Sequence, residues 1–407
     1  MPVIVLTVNR DSFFLSHRLP IALALRDEGF QVTIVAEDTG HAATIRSYGL
    51  SFISLPISRG GLNPLKDFRT FWFLLNLYRN LKPVVVHHIT PKIFCYGTYA
   101  AMLANSKIQI VNAVAGTGSM LNTNKSLHPV QVVLRFLYRL AFRSKRCRLI
   151  FQNKDNLRSM ISLGILADDD RCVLIRGSGV DCRLFAPRSE PDGDAIVMLC
   201  SRLLRDKGIL EFIEAASILK STFPSVRFVL VGAPDPANPS TISGKEMESI
   251  RQRGSVEVWG HREEMPEVLA LASIVVLPSY HEGLPKGLLE AMAVSRPIVT
   301  TNVPGCRECV HEGSNGFLVP PKNSKALAEA IAKLLQSKAL RIEFGRAGRE
   351  MVVREFTQES VVKQTLDVYR SLIQDAWPAK KVPAAVPSPE FVTVLQDYSP
   401  ASYSHPN

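Results

Sequence analysis

The sequence predicts an α/β protein composed of two doubly wound, Rossmann-like domains that face one another across a cleft. Three observations lead to this prediction. The 407 residues exceed the usual length of one domain, and the 46% apolar and 21% charged content is that of a globular chain. Short β-branched runs also alternate with helical patterns in two series, separated by a loop rich in Pro, Asp and Gly at residues 186–194.

In the first series, runs of apolar and β-branched residues predict parallel strands buried on both faces. The stretches between them predict the crossover helices of a doubly wound sheet. These elements define an N-terminal domain of residues 1–182, followed by a linker at 183–193. The predicted strands are 2–8, 31–36, 51–55, 84–88, 109–113 and 148–152, and the predicted helices include 16–28, 39–48, 65–81 and 130–142.

The second series predicts a C-terminal domain of the same class at residues 194–355. A last helix within 356–375 is expected to pack back toward the N-terminal domain. Residues 376–407 are expected to be disordered, because the tail from residue 375 onward contains six prolines. The predicted strands are 195–201, 226–232, 255–259, 274–278, 297–301 and 316–319, and the helices are 209–220, 265–272, 286–294, 324–336 and 358–373.

The formal net charge of +11 indicates an anionic partner without identifying it. Seven scattered cysteines suit reduced thiols in a cytosol better than a disulfide framework. Cys306 and Cys309 have C-x-x-C spacing, but no second pair completes a zinc site, so no metal is expected. Residues 1–8 are interpreted as a first strand and not as a signal peptide, and no apolar run is long enough to span a bilayer.

The segment 201–208 places two cations, Arg202 and Lys207, where a strand ends and a helix begins. Ligands of open α/β sheets bind at the carboxyl ends of strands, and a helix N-terminus favours anions. Fixed cations at this point can neutralise a diphosphate leaving group without a metal. The alternative is a solvated loop with incidental charges.

The segment 279–292 contains two glutamates eight residues apart at another strand-to-helix turn. Glu282 is predicted in the loop, whereas Glu290 falls inside an apolar helical run and therefore needs a partner. Hydroxyl groups of a sugar or ribose are suitable donors to such carboxylates. The alternative is that Glu290 pairs with a structural cation or a backbone amide.

Together these motifs resemble the retaining glycosyltransferases of family 4, which have the GT-B fold. The resemblance covers residues 1 to about 374 and extends to the blocks 176–181, 230–232, 258–262, 274–280 and 304–308. It implies that Arg202 and Lys207 hold the donor diphosphate, that Glu282 contacts the donor sugar and that Glu290 binds the ribose. It also implies that no divalent cation is required, and that further donor contacts come from Gly232, Arg262, Gly283, Leu284, Pro285 and Lys286.

The N-terminal half departs from the commonest pattern of that family, because residues 8–18 replace a glycine-rich loop. This version resembles a subgroup that elongates lipid-linked oligosaccharides in O-antigen, capsule, exopolysaccharide or N-glycan assembly. It implies a UDP-sugar donor, an N-acetylhexosamine or hexose, and a polyprenyl-diphosphate-linked acceptor. His17, His88 and Lys92 are candidates to touch the acceptor or the diphosphate, with a structural role as the alternative for each. The acidic run at 168–170 is interpreted as a solvated loop and not as a metal site.

Two segments are candidates for contact with an anionic membrane. Residues 125–148 contain seven Lys/Arg and no Asp/Glu, interleaved with apolar residues, and residues 65–81 are rich in aromatic residues. The alternative for each is a helix that faces the core with a solvated outer face. With the lipid-linked acceptor, these segments favour a cytoplasmic protein bound peripherally to the inner face of the membrane.

Three other functions remain as alternatives. A nucleic-acid-binding protein would use the positive charge, but no recognition module is present and nucleic acid is not the expected partner. An NAD-dependent oxidoreductase would need G-x-G-x-x-G after the first strand, where residues 8–11 stand instead. A sugar-nucleotide epimerase of the GT-B fold is also possible, although the two motifs fit a transferase better.

Overall fold

The computed structural model describes residues 1–57, 64–114, 129–167 and 171–378. Within these ranges the chain forms two parallel sheets, each covered by helices on both faces. The described part of the N-terminal sheet has the strand order β3-β2-β1-β4-β5-β6-β7. Its elements are β1 (Val3–Arg10), α1 (Asp11–His17), α2 (Leu19–Asp27), β2 (Gln31–Glu37), α3 (Ala42–Ser47), β3 (Ser51–Ser54), α4 (Pro64–Leu81), β4 (Val85–Ile89), α5 (Pro91–Ala104), β5 (Gln109–Val114), α6 (Pro129–Phe142), β6 (Cys147–Phe151), α7 (Lys154–Ser162) and β7 (Cys172–Leu174).

The C-terminal sheet has the order β10-β9-β8-β11-β12-β13. A 3-10 turn at Arg205–Lys207 precedes its first helix. The elements are β8 (Ile196–Cys200), α8 (Ile209–Leu219), β9 (Arg227–Val231), α9 (Gly244–Arg253), β10 (Glu257–Gly260), α10 (Met265–Ala270), β11 (Ile274–Leu277), α11 (Lys286–Ala293), β12 (Ile298–Thr301), β13 (Gly316–Val319), α12 (Ser324–Leu335), α13 (Lys338–Glu355) and α14 (Gln358–Leu372).

Strand order reverses once in each sheet, between β1 and β4 and between β8 and β11. In doubly wound sheets this switch point is where ligands bind, at the carboxyl ends of the strands. Contacts such as that between Asn153 and the carbonyl of Gly283 bring the two domains together. The two-domain α/β architecture predicted from the sequence is therefore confirmed.

The core follows from the alternation of side chains along buried strands. In β1, Ile4 and Leu6 belong to one apolar cluster, whereas Val5 belongs to the cluster on the opposite face. The first cluster is covered by α2, α3 and α14, and the second by α4, α5, α6 and α7. Because both faces are covered, polar side chains within these strands are buried as well.

The last helix, α14, packs on the N-terminal domain, where Leu366 and Tyr369 join the cluster that includes α2. Order continues past the predicted boundary at residue 376. The indole of Trp377 lies edge-on to Phe30 at 4.9 Å and donates a hydrogen bond of 3.0 Å to Glu28. The prediction of disorder from residue 376 is thus wrong for 376–378, and the rest of the tail lies outside the described residues.

Residues 183–193 contain no helix or strand, and they pack against the C-terminal domain. The buried guanidinium of Arg296 donates hydrogen bonds of 2.8 Å to the carbonyls of Arg188 and Ser189. Arg341 pairs with Glu190 at 2.8 Å. Buried arginines of the C-terminal domain therefore bind the linker and hold it against that domain.

The predicted helix 16–28 is two helices, α1 and α2, that meet at Arg18. Pro20 explains the break, because proline lacks the N–H that would bond the carbonyl of Ser16 in a continuous helix. The first helix also begins earlier than predicted, directly after β1. Helices α5, α7, α9 and α13 and strand β7 were not among the elements predicted with bounds.

Candidate active site

The first motif follows β8 as a tight turn that holds its two cations in place. Gly208 ends the turn with φ +72°, and a Cβ there would lie 2.2 Å from the carbonyl oxygen of Pro278. Only glycine fits this left-handed, crowded position. Since Pro278 directly precedes the second motif, the glycine lets the two motifs pack together.

Side chains of the two motifs are joined through Glu282. The ammonium of Lys207 donates a hydrogen bond to Glu282 Oε1, and Ser279 Oγ donates to the same oxygen at 2.7 Å. The side chains of Lys207 and Glu282 are largely buried, 20% and 12% exposed. Two of the predicted donor-site residues are thus brought into direct contact.

Glu290 lies in the second turn of α11, where burial raises the pKa of its carboxyl and the charge of Lys286 opposes that shift. The Lys286 ammonium lies 3.1 Å from Glu290 Oε1. It also donates a 2.9 Å hydrogen bond to the carbonyl oxygen of Ser16 in the N-terminal domain. The cation pairing that the sequence left open as the alternative role of Glu290 is therefore present, its partner reaches across the cleft, and the contact of Glu290 with a ribose stays a prediction.

The turn at 283–286 leads into α11, whose N-cap is Pro285; proline has no N–H, so backbone donors at the start of the helix come from the other residues of its first turn. Gly283 is packed against Gly305, where a Cβ would lie 2.4 Å from the Gly283 carbonyl. Leu284 is buried against Gly177, and Pro285 occupies the N-cap position. These contacts make the turn a fixed feature of the site.

Arg202 is half exposed and forms a 2.8 Å ion pair with the buried Asp235. Asp235 also lies 4.0 Å from Arg10 of the N-terminal domain, whose guanidinium is 3.6 Å from Glu37. These charged side chains therefore form a continuous series from the switch point of the N-terminal sheet, between β1 and β4, to that of the C-terminal sheet, between β8 and β11. Because 54% of the Arg202 side chain is exposed to solvent, its guanidinium can exchange Asp235 for an incoming anion.

Gly232 lies at the end of β9, beside the loop that carries Arg202. A Cβ at Gly232 would lie 1.8 Å from the carbonyl oxygen of Ser201, and its φ is +138°. The position therefore requires glycine for close approach of backbone segments. Arg262 follows β10 and is exposed.

The structure places His17 near the donor-site cations. Burial and the charges of Lys286, Arg18 and Arg202 lower the pKa of His17 to about 3, so its imidazole is neutral near pH 7. The ring stacks on Phe13 at 4.3 Å, and its Nδ1 is 2.7 Å from Ser16 Oγ. Its contact with an acceptor stays a prediction.

The interpretation of His88 as a cleft residue is wrong. His88 is fully buried in the N-terminal domain; its Nε2 lies 3.0 Å from the hydroxyl of Tyr78 and its Nδ1 2.9 Å from Asn112 Oδ1. Gly97 closes over the ring. The residue lies one position before the end of β4, and both faces of that strand are covered.

Lys92 lies in the first turn of α5, and its ammonium is paired with Asp67 of α4 at 3.3 Å. Cys306 and Cys309 are free, buried thiols, and burial raises the pKa of Cys306 to about 12. Among the described residues, no group of three or more His, Cys, Asp or Glu is arranged to hold a metal ion. The acidic run at 168–170 lies outside them.

Three residues of the site were not identified from the sequence. Ser279 and Asp235 follow strands β11 and β9 of the C-terminal sheet, so strand-end position was a usable signal. Asn153 caps α7 and also donates a 2.5 Å hydrogen bond to the Gly283 carbonyl. Its sequence context indicated the cap, and nothing local indicated the contact across the cleft.

Comparison with known proteins agrees with this geometry. Residues 183–351 match the family model described as "Glycosyl transferases group 1", and residues 3–153 match "Glycosyl transferase 4-like". A sucrose-phosphate synthase from Thermosynechococcus elongatus superimposes with a TM-score of 0.76 at 20% identity, covering 92% of this chain and 100% of that one. Two Rossmann-like domains with the donor-type motifs at the switch point define a GT-B glycosyltransferase fold.

Two curated relatives align over nearly their whole lengths. The N,N'-diacetylbacillosaminyl-diphospho-undecaprenol alpha-1,3-N-acetylgalactosaminyltransferase of Campylobacter jejuni is 30% identical over 384 residues, 89% of this chain and 99% of that protein. The UDP-Gal:alpha-D-GlcNAc-diphosphoundecaprenol alpha-1,3-galactosyltransferase of Escherichia coli is 24% identical, covering 86% and 91%. The chain belongs to the group 1 glycosyltransferases, and it is a glycosyltransferase by that membership.

Proposed function

We propose that this protein transfers a hexose or N-acetylhexosamine from a UDP-sugar to a polyprenyl-diphosphate-linked saccharide, with retention of anomeric configuration. The observation that carries the proposal is the convergence of Arg202, Lys207, Glu282 and Glu290 at the switch point between β8 and β11. The two relatives named above are described as acting on undecaprenyl-diphosphate-linked acceptors, and one is named for UDP-galactose. Their substrate class is the one we assign here.

In this proposal the donor diphosphate lies against Arg202 and Lys207. Each charge-assisted hydrogen bond contributes about 1.5–3 kcal/mol. Glu290 accepts hydrogen bonds from the ribose, and Glu282 contacts sugar hydroxyls from the same face. Backbone N–H groups at the start of α11 supply further donors to phosphate oxygens.

The reaction we infer is a front-side displacement. The bond from the anomeric carbon to the phosphate oxygen breaks, the acceptor hydroxyl oxygen bonds to that carbon from the same face, and the hydroxyl proton passes to the leaving phosphate. Negative charge grows on the nucleoside diphosphate, where Arg202 and Lys207 stabilise it. The reaction needs no further reactant.

The test is a transfer assay on the purified full chain with UDP-, GDP- and ADP-sugars and lipid-linked acceptors, read by mass spectrometry. We expect that only UDP-sugars serve as donors. The anomeric NMR signals of the product should show the same anomeric configuration as the sugar of the donor. Arg202→Ala, Lys207→Ala and Glu290→Ala should each lower kcat/KM by at least about tenfold. Arg253→Ala, on the exposed end of α9, is the matched control. Near-normal turnover in all three site variants contradicts the assignment.

We also propose that α4 and α6 hold the protein peripherally on an anionic cytoplasmic membrane surface. Both helices cover the same face of the N-terminal sheet and expose apolar side chains, among them Phe68 at 63% and Phe136 at 64%. Exposed Arg69 and Arg139 lie on the same helices. Apolar residues combined with cations are typical of binding to anionic lipid surfaces. None of the helices in the described ranges is long and apolar enough to cross a bilayer.

Vesicle sedimentation tests this membrane contact. Vesicles of phosphatidylethanolamine with phosphatidylglycerol should bind the protein, and binding should fall with added salt. The double variant Phe68→Ser/Phe136→Ser should bind several-fold more weakly. Ile342→Ser removes an apolar side chain that is 55% exposed on the C-terminal domain, and this variant should bind like the wild type. Equal binding by all three proteins contradicts the proposal.

A further inference from the structure

The turn that leads into α11 is held by contacts with the N-terminal domain. The carbonyl oxygen of Gly283 accepts a 2.5 Å hydrogen bond from the side-chain amide of Asn153. Leu284 packs against Gly177, which follows β7, and a Cβ at Gly177 would lie 2.8 Å from a methyl group of Leu284. Lys286 donates its hydrogen bond to a carbonyl of α1. A turn of the C-terminal domain is therefore shaped by groups of the N-terminal domain.

Asn153 makes the most constrained of these contacts. Its side chain is fully buried, and both ends of its amide are occupied. The Oδ1 atom accepts a 2.8 Å hydrogen bond from the backbone N–H of Asn156 and thereby caps α7. This bond fixes the orientation of the amide, because only its NH₂ group is then left to donate to Gly283. One side chain thus joins the start of a helix in the N-terminal domain to a peptide group of the C-terminal domain.

The Gly283 peptide lies between two groups that we assign to the donor. Glu282 directly precedes it, and the carboxylate of Glu282 binds Lys207 and Ser279. The first turn of α11, with its free backbone N–H groups, follows it. Gly305 also crowds the peptide, since a Cβ there would lie 2.4 Å from the Gly283 carbonyl oxygen. A displacement of this peptide would therefore move the carboxylate and the helix start together.

We propose that Asn153 is a positioning residue for the donor, because its amide fixes the Gly283 peptide and so sets the geometry with which the turn binds a nucleoside diphosphate. The inference rests on the proposed function for the identity of that ligand. Asn153 acts through Gly283 and does not touch the donor, since both ends of its amide are bonded to protein groups. Without the amide, a carbonyl loses its partner and the turn loses its fixed position.

The experiment compares Asn153→Ser and Asn153→Ala in the full chain, by calorimetric titration with UDP at a temperature where all variants are folded and by thermal unfolding. Serine caps helices about as well as asparagine, but its side chain is one bond shorter and does not also reach Gly283. Asn153→Ser should therefore keep the cap of α7 and bind UDP about tenfold more weakly than the wild type. Asn153→Ala should bind UDP as weakly as Asn153→Ser and unfold at a lower temperature, because it also loses the cap.

Two control variants separate this role from domain contact and from helix capping. Asp155→Asn removes a partly exposed ion pair of 3.7 Å between α7 and Arg307 of the C-terminal domain. Such pairs contribute little, so UDP affinity should stay within about twofold of the wild type. Asn323→Ser makes the same substitution at the exposed N-cap of α12, where the side chain accepts a 3.0 Å hydrogen bond from Ala326. It should bind UDP like the wild type.

Two results overturn the proposal. If Asn153→Ser binds UDP within about twofold of the wild type, the hydrogen bond to Gly283 does not position the turn. If Asp155→Asn loses as much UDP affinity as Asn153→Ser, contact between the domains in general governs binding, and not the amide of Asn153. The proposed function fails separately, when the wild type binds UDP and transfers no sugar from UDP-sugars. The comparison of UDP affinities still decides the role of Asn153 in that case.

Discussion

Lys286 of the C-terminal domain donates a 2.9 Å hydrogen bond to the backbone carbonyl of Ser16 in the N-terminal domain. Pro20 lacks the N–H that would occupy this carbonyl in a continuous helix, so the break between α1 and α2 leaves an acceptor at the cleft. The same ammonium compensates the charge of Glu290 at 3.1 Å. One lysine thus links Glu290, the residue proposed to bind the ribose, to the backbone of the N-terminal domain.

We expect Lys286→Met to lower the free energy of unfolding by about 1–3 kcal/mol, because Glu290 is left nearly buried without its counter-ion. The double variant Lys286→Met/Glu290→Gln should recover most of that loss. Urea unfolding of the four proteins of this cycle measures the coupling. A double variant that equals the sum of the two single variants would show that Lys286 does not act through Glu290.

Glu290→Gln should stabilise the protein at pH 7 and weaken UDP binding by about tenfold. Burial raises the pKa of Glu290 above its ordinary value of 4.5, so the folded protein favours the protonated carboxyl. The stability that the protonated carboxyl contributes is lost as the pH rises through the pKa of the folded state. The stability advantage of glutamine should therefore shrink as pH falls toward 4.5 and vanish below it. Thermal unfolding from pH 4 to pH 8 measures this, and a gap independent of pH contradicts it.

Gly232→Ala should destabilise the C-terminal domain by more than about 3 kcal/mol, because the added methyl overlaps the carbonyl of Ser201. Gly260→Ala is the matched control. Gly260 lies at the same sheet edge with φ +73°, and among the described residues, its two chain neighbours aside, no atom lies within 4 Å of the point that an alanine methyl would occupy there. It should cost only the left-handed backbone penalty of about 1–2 kcal/mol. Urea unfolding compares the two, and equal losses would remove the close-approach explanation.

Strands and the donor motifs could be predicted because their signals are local. The run that forms β11 is apolar throughout, and Glu282 and Glu290 follow it at fixed spacing in a strand-to-helix turn. The contact of Lys207 with Glu282 was not predicted, because it depends on how closely Gly208 lets the two turns approach. Packing of this kind joins segments that are distant in sequence.

Other features could not be predicted from the sequence, for different reasons. Helix α9 has little apolar periodicity, although its Ser243–Glu246 capping box was visible in the sequence. His88 was misassigned because its place near a strand end was interpreted without the helices that cover the strand.

His17 and His88 offer a direct comparison between a cleft residue and a core residue. His88→Ala should lower the free energy of unfolding by about 2–4 kcal/mol, because it opens a cavity and leaves Tyr78 and Asn112 without their buried partner. Its acceptor KM should stay within about twofold of the wild type at a temperature where the variant is folded. His17→Ala should show the reverse, with a loss of stability below about 1 kcal/mol and a several-fold change in acceptor KM, because its ring borders the cleft cations. Urea unfolding and steady-state kinetics measure both. An altered acceptor KM in His88→Ala together with unchanged stability would indicate that His88 acts in the acceptor site and not in the core.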